Sequence, residues 1–427
     1  MKILFKNKWL LNNFTIDDKI KKAIIYDKID VNNIVLIMDK NNNLIEYIYN
    51  NCDLPKIILD FIKTFFYFTN NKFLEKDLYI EFNKLSILID KLIKNVNNIK
   101  KYNNIFISNC FLYETSYINI NKKNILVKYN KLLCKLFDFN KLPIVKKTFN
   151  KKIKILVIGF YLINVKTNYL TSVFRDRSEI LKKLDSNIFS KDILLHNNKN
   201  NEDIYKYFIK KFDNVFYFKK TNLEDINKIV NNLKKNNYDI VIYPSIGMDV
   251  HNNIFANYRI APIQITTWGH SITSGIDTID YYISSKLYEL PYKKSKNFYS
   301  EKLLLLNNMT TYYPKYINIS NEKMKTRKEL NLPENKYILF CIQNIVKINL
   351  DFLNMLQKII LKESNILIIF GRYNISDDKI KYINNILHNK AIFMNNLSFF
   401  DFNNHIFVSD LVLDTYPFGG CNSFGAG

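Results

Sequence analysis

The sequence predicts an α/β protein: two Rossmann-like units in tandem, each a parallel sheet between helices, behind a mainly α-helical N-terminal region. Three observations carry this. From Lys151 onward, short apolar runs rich in β-branched residues alternate with helical windows. A second series of the same kind begins after Pro333. All nine glycines stand at or beyond Gly159, so the first 158 residues contain none. Buried strands alternating with helices are the pattern of a parallel sheet covered on both faces.

The expected regions are residues 1–145, mainly helical; 151–330, a first Rossmann-like lobe; and 331–427, a second lobe. In the first region a glycine-free stretch with only Pro55 and Pro143 lacks the residues that tight βα turns use. Its apolar residues recur at helical spacing, as in Ile57, Ile58, Phe61, Ile62 and Phe65, then Leu85, Ile87, Leu88 and Leu92. No period of helical-repeat length is visible. In the first lobe the strands are Ile153–Ile158, Ile193–Leu195, Val215–Phe218, Ile240–Tyr243, Ile263–Trp268 and Ile279–Ile283. Helical windows fall at Leu170–Leu184, Ile204–Phe212, Leu223–Leu233 and Asp249–Tyr258. The second lobe has strands at Tyr337–Ile342, Ile366–Phe370, Ala391–Met394 and Leu411–Asp414, with a helix at Leu350–Lys362. After Asp414 comes a Gly-bearing turn, and the chain stops where a helix is expected, so this lobe reads as truncated.

Composition narrows the function. With 48% hydrophobic and 15% aromatic residues, the 427-residue chain can bury a large core. Nowhere do about 18 apolar residues run together, so no membrane span is expected, and the N-terminus does not read as a signal peptide. Cys52, Cys110, Cys134, Cys341 and Cys421 are odd in number and scattered, which suits reduced thiols in the cytoplasm and argues against a disulfide framework or a zinc cluster. The net charge of +23 suggests nucleic acid, but only five of 62 basic residues are Arg. Lys is dispersed with Asn and Ile, and no Arg-rich stripe offers bidentate grip on phosphates, so no specific nucleic-acid partner is expected.

Ligands of open α/β sheets bind beyond the carboxyl ends of strands, which singles out three loops. In Phe340–Lys347, Lys347 precedes an amphipathic helix and can neutralise a diphosphate, with Gln343 and Asn344 adding hydrogen bonds. On its own, a Lys among 57 reads as surface charge. In Leu413–Ser423, Gly419 and Gly420 allow close backbone approach, and Asn422 and Ser423 are good helix caps. An ordinary strand-to-helix connection has the same look. The third is Tyr243–Asp249 with Arg259–Gln264 and Trp268–Gly275, where Gly269 and Gly275 bracket His270, Ser271, Thr273 and Ser274. Such a loop can bind a sugar, and His270 has a pKa range suited to acid–base work; the plain alternative is a polar turn. His196, His251, His388 and His405 show no partner constellation. A zincin motif, a P-loop and GxGxxG are all missing, against a zinc protease, a Walker-type NTPase or a standard dinucleotide oxidoreductase.

Taken in order, Tyr243–Met248, Arg259–Gln264, Thr267–Ser285 (TWGHSITSGIDTIDYYISS), Tyr299–Leu306 (YSEKLLLL), Gln343–Lys347 and Leu413–Asn422 resemble the catalytic region of SPINDLY-type protein O-glycosyltransferases. These are related to the O-linked N-acetylglucosamine transferases and, more distantly, to HMW1C-type protein glucosyltransferases. The resemblance covers about residues 103–427. It implies a GT-B fold, a nucleotide-sugar donor held mainly by the second lobe, inverting transfer, no metal and no other cofactor. It also implies a protein acceptor recruited by N-terminal helices. Lys347 matches the family Lys on the diphosphate, and Gln343 matches the neighbouring nucleotide contact. Gly419, Gly420, Asn422 and Ser423 match the phosphate-holding turn, and Gly269, His270 and Thr273 fall in the loop near the donor sugar.

Two positions depart from the family. A His usual in the loop after the first strand of the catalytic region is matched by Asn168 or Tyr169, neither of which readily takes a proton near neutrality. The acidic residue expected on the ribose is matched by Ala426. The reading is therefore an inverting protein O-glycosyltransferase using UDP-N-acetylglucosamine on Ser or Thr. The alternatives are O-fucosyl or glucosyl transfer by the same fold, and a degenerate, non-catalytic protein-binding module.

Overall fold

The computed structural model of the chain describes residues 57, 61, 75–100, 106, 119–137, 139, 152–163, 170–196, 203–218, 223–312, 324–371, 377–394, 397 and 399–420, with the backbone of five short N-terminal strands. Those strands are β1 (Lys2–Phe5), β2 (Trp9–Leu10), β3 (Lys22–Ile24), β4 (Ile34–Met38) and β5 (Leu44–Tyr49). They form an antiparallel sheet in the order β2-β1-β4-β3, with β5 also pairing β4. The helical reading of residues 1–145 is thus corrected at these five strands. Ile34–Met38 and Leu44–Tyr49 are rich in β-branched and aromatic residues, the composition of strands. Lack of glycine was a poor guide, because this chain places Asn where the backbone turns left-handed: Asn237, Asn331 and Asn389 have φ of 56°, 54° and 57°. Helices follow as expected at α1 (Glu75–Lys94), α2 (Val96–Ile99) and α3 (Lys123–Leu136).

The next lobe is a seven-stranded parallel sheet. Its elements in chain order are β6 (Ile153–Ile158), α4 (Ser172–Lys182), β7 (Phe189–His196), α5 (Asp203–Ile209), β8 (Asn214–Phe218), α6 (Leu223–Lys235), β9 (Ile240–Tyr243), α7 (Val250–Ala256), β10 (Ile263–Thr267), β11 (Tyr281–Ser285), α8 (Tyr292–Ser295) and β12 (Lys302–Leu306). The strand order is β12-β11-β10-β9-β6-β7-β8. The last four residues of β6 and the last six of β7 are all buried, as both-face covering requires. Helix starts are fixed by side chains: Thr171 accepts from Phe174 N at 3.3 Å to open α4, and Asp249 accepts from His251 N and Asn252 N to open α7.

The C-terminal lobe runs β13 (Tyr337–Cys341), α9 (Leu350–Lys362), β14 (Ile366–Gly371), α10 (Asp377–Ile386), β15 (Ala391–Met394), α11 (Phe399–Val408) and β16 (Leu411–Leu413). Its parallel sheet has the order β15-β14-β13-β16. The helices α10 and α11 have no counterpart in the sequence reading, while α9 and β15 fall on the residues expected. All six residues of β14 are buried. Leu353 and Leu356 of α9 pack with Ile368, Phe370, Ile383 and Leu387 on one face.

In both sheets the chain winds outward from one strand and then returns to that strand's other side. The reversals lie between β6 and β9, and between β13 and β16. A crevice opens at such a point beyond the carboxyl ends of the strands. The helix α3 belongs to the same packing. Leu126, Tyr129 and Leu132 share one buried cluster with Leu156 and Ile158 of β6 and Val241 of β9. Among the described residues no helix is long and apolar enough to cross a membrane.

Candidate active site

The C-terminal reversal brings two of the three predicted loops together. The pairing of Cys341 with Leu413 sets Ile342 beside Asp414 at the carboxyl ends of β13 and β16. From there the chain passes Gln343 and Asn344 into a 3₁₀ turn, Ile345–Lys347, and Asn349 then caps α9 by accepting from Phe352 N at 2.9 Å. Lys347 therefore lies ahead of the helix rather than on its first turn. Its Nζ donates to Gln343 Oε1 at 2.8 Å and to Gly419 O at 3.0 Å, and stands 4.9 Å over the Phe418 ring. Both of these acceptors are neutral, so the two bonds position the ammonium without themselves cancelling its charge.

Asp414 folds the opposing turn: its Oδ1 accepts from Thr415 N and from Gly420 N, both at 2.8 Å. Thr415 Oγ1 donates to Phe418 O at 2.7 Å. The N–H of Gly420 thus points inward to Asp414, and the carbonyl of Gly419 points to Lys347. Glycine at 420 is a matter of space, since a Cβ there would lie 1.5 Å from Gln343 Nε2. Gln343 is 1% exposed, and its Nε2 has no hydrogen-bond partner among the described residues. A buried donor of this kind is costly unless something accepts from it. Asn344 is exposed, and its carbonyl accepts from Lys347 N at 2.9 Å. Burial pushes the Cys341 thiol beneath the site up to about 12, which keeps it protonated and inert. Asn422 and Ser423 lie outside the described residues, as do Asn168, Tyr169 and Ala426.

The third loop faces this turn from the first lobe. Gly269 lies flat on the chain before it, since a Cβ would meet Pro244 O at 2.2 Å. Gly275, at φ +70°, approaches the backbone of Leu126 in α3. Asn130 of α3 donates to Ser274 O at 3.0 Å, so the helical region holds the loop directly. Thr273 Oγ1 donates to Glu301 Oε2 at 2.6 Å and accepts from Ser300 N at 2.9 Å. Ser274 gives both its N–H and its hydroxyl to Glu301 Oε1. The hydroxyl of Thr273 therefore braces the loop.

His270 is buried, rests on Gly247, and its carbonyl accepts from Tyr282 OH at 2.6 Å. Burial, helped by the charge of Lys122, lowers its pKa to about 4, so the ring is neutral near pH 7. The sequence reading placed it in the acid–base range. The fold makes it a neutral polar group instead. A small recess of about 10 Å³, room for a single water, lies beside it, lined by Gly247, Thr266, Thr273, Ser274 and Tyr282 among others.

Phe418 joins the two sides: its ring lies 6.1 Å from His270 as well as under Lys347. Nothing in the sequence singled it out, because an aromatic beside a Gly-Gly turn reads as packing. A second omission concerns the other histidines. His196 and His251 were read as lacking a constellation, yet they flank Asp249, each with a ring nitrogen 3.4 Å from a carboxylate oxygen. Burial alone would raise the Asp249 carboxyl, but the two imidazoles hold it well below the usual carboxylate range.

No protein-family description matches the chain, and no curated protein matches it by sequence. Among solved structures, an O-GlcNAc transferase of Thermobaculum terrenum carrying a Lys-to-Met substitution aligns with a TM-score of 0.62 at 12% identity, over 86% of this chain and 66% of that one. The chain thus spans less than two-thirds of that protein's length. A glycosyltransferase from Rickettsia africae has a TM-score of 0.37 at 14% identity, over 62% of this chain and 73% of its own. S. aureus MnaA with UDP has 0.33 at 13%, over 61% and 73%. Overlap at those two scores carries no weight. With two parallel Rossmann-like sheets whose reversals carry facing loops, and with the first of these alignments, the chain has the GT-B fold.

Proposed function

We propose that the chain is a nucleotide-sugar-dependent glycosyltransferase, inverting, that moves N-acetylglucosamine from UDP to Ser or Thr of proteins. The observation that carries this is Lys347, an ammonium fixed by Gln343 and Gly419 at the strand-order reversal of the second lobe, facing the His270 loop across Phe418. The nature of the reaction gives it a task. As the glycosidic bond to the diphosphate breaks, negative charge builds on the leaving phosphate. A preorganised cation stabilises that charge more than it stabilises the ground state. Gln343 Nε2 supplies a buried donor beside it. Neutral His270 orients groups by hydrogen bonding rather than by giving up a proton.

The acceptor is assigned as protein on two grounds: the resemblance of the ordered motifs, and α1, whose Ile80 and Ile87 are exposed beside the lobe that α3 packs on. The test is transfer of labelled N-acetylglucosamine from UDP to a protein acceptor by the chain and by its Lys347→Ala variant. The expected loss is about 10²–10³ in rate, the usual effect of removing one transition-state donor. Transfer unaffected by that change contradicts the assigned role. Labelled GDP-fucose in the same assay separates the alternative donor.

A further inference from the structure

We infer that His196, Asp249 and His251 form a binding site for one divalent transition-metal ion of the zinc class, in the first lobe. One ligand atom from each residue lies within 4.8 Å of the other two. The three come from different places: His196 ends β7, Asp249 closes the loop after β9, and His251 lies in the first turn of α7. The fold gathers them at the carboxyl side of β7 and β9, on the two flanks of β6.

The spacing is long for ion pairs and is that of co-ligands around one ion. His196 Nε2 is 3.4 Å from Asp249 Oδ2, and His251 Nδ1 is 3.4 Å from Asp249 Oδ1. A charge-assisted hydrogen bond draws such atoms to about 2.7–2.9 Å. Ligands on an edge of a tetrahedral site with arms of about 2.0–2.1 Å stand about 3.4 Å apart. His251 Nδ1 is buried and makes no hydrogen bond among the described residues.

The surroundings orient the ligands. Phe160 stacks on His196 at 4.7 Å, and Phe218 lies 5.7 Å and 5.2 Å from the His196 and His251 rings. Asp249 Oδ1 accepts from His251 N at 2.8 Å and Asn252 N at 3.3 Å, which fixes the carboxylate. Outer contacts of this kind hold metal ligands in place. Two imidazoles and a carboxylate suit zinc, cobalt or nickel, not the all-oxygen sets of calcium and magnesium. The Asp249 side chain is 18% exposed against 6% and 8% for the histidines, marking the side from which an ion and a water enter. Held there, the ion pins the end of β7 to the start of α7.

This site shares no residue with the proposed transfer machinery, so its test is independent of that reading. The tag-free full chain is equilibrated with zinc, dialysed against metal-free buffer and assayed for metal. We expect about one zinc per chain, unchanged in His388→Asn, whose histidine is exposed elsewhere, and lost in His251→Gln and Asp249→Asn. Cobalt in place of zinc should give wild-type protein the visible absorption of a tetrahedral nitrogen–oxygen site, a result that needs no variant to fold. Folded wild-type chain that takes up no stoichiometric zinc or cobalt overturns the site. Uptake unchanged in a folded His251→Gln variant does the same.

Discussion

In the C-terminal lobe the loops at the strand-order reversal hold a partly exposed ammonium, Lys347, on Gln343 Oε1 and Gly419 O, with Asp414 turned to the backbone N–H groups of Thr415 and Gly420. In the first lobe the corresponding loops hold imidazoles and carboxylates in buried surroundings: His270 on Gly247, Asp249 between two histidines, and Glu301 under Thr273 and Ser274. The same topology therefore serves two electrostatic purposes. One side presents a positive charge, which on the proposed function would meet the diphosphate. The other spends its ionisable groups on internal bonds and presents a neutral, braced surface. The proposed transfer chemistry would use that division, with the cation placed to stabilise charge that builds on the leaving phosphate only in the transition state.

The strongest way to break this comparison is to titrate the neutral side. His270 has its pKa lowered from 6.5 to about 4, so the fold accepts the neutral ring and opposes the charged one. Its contribution to stability is complete above the unfolded value and is lost as pH falls from about 6.5 to 4. It amounts to something on the order of 3 kcal/mol. Denaturant unfolding across that range should show the slope in wild type, reduced by one proton's worth in His270→Gln. An identical slope in both would mean that His270 titrates normally and that its burial does not oppose the charged ring. Asp249, held low, contributes in a separate and more acid window, its stability present above the unfolded value and lost below it.

The charged side is tested next. Gly420→Ala puts a Cβ on the Gln343 amide and must displace it, removing the bond that holds Lys347. The expected cost is about 1–3 kcal/mol of stability, as for overpacking elsewhere, with weaker UDP binding. Melting temperature and titration read the two effects separately; an unchanged melt and unchanged binding would show the turn to be loose. The smallest effect is expected from Gln343→Ala. It removes one positioning bond and one buried donor, worth about 1 kcal/mol, or several-fold in UDP affinity, with the charge of Lys347 intact.

Much of the fold was visible in the sequence, and the parts that were not have identifiable causes. Ile153–Ile158, Ile240–Tyr243 and Ala391–Met394 were read as strands with the bounds found, because buried parallel strands are near-continuous apolar runs. Leu350–Lys362 was legible from its helical spacing. Strands β1 to β5 were not, since turn residues were sought as glycine in a chain that uses asparagine for left-handed backbone. Lys347 and Gln343 are four residues apart and share a local turn, so their pairing was within reach. The partners His196 and Asp249 are 53 residues apart, and only the register of the sheet brings them together. The environment of His270 was also hidden, because burial is a property of the packed lobe and not of the loop that carries it.

The most direct test of the charged C-terminal site is calorimetric titration of UDP, with GDP as comparison, into the 427-residue chain and its Lys347→Ala variant. The account predicts that the chain binds UDP and that the variant loses about 1.5–3 kcal/mol of binding free energy, the worth of a charge-assisted contact. Binding of equal strength by both would contradict it, since the diphosphate would then lie somewhere other than the loop between β13 and α9.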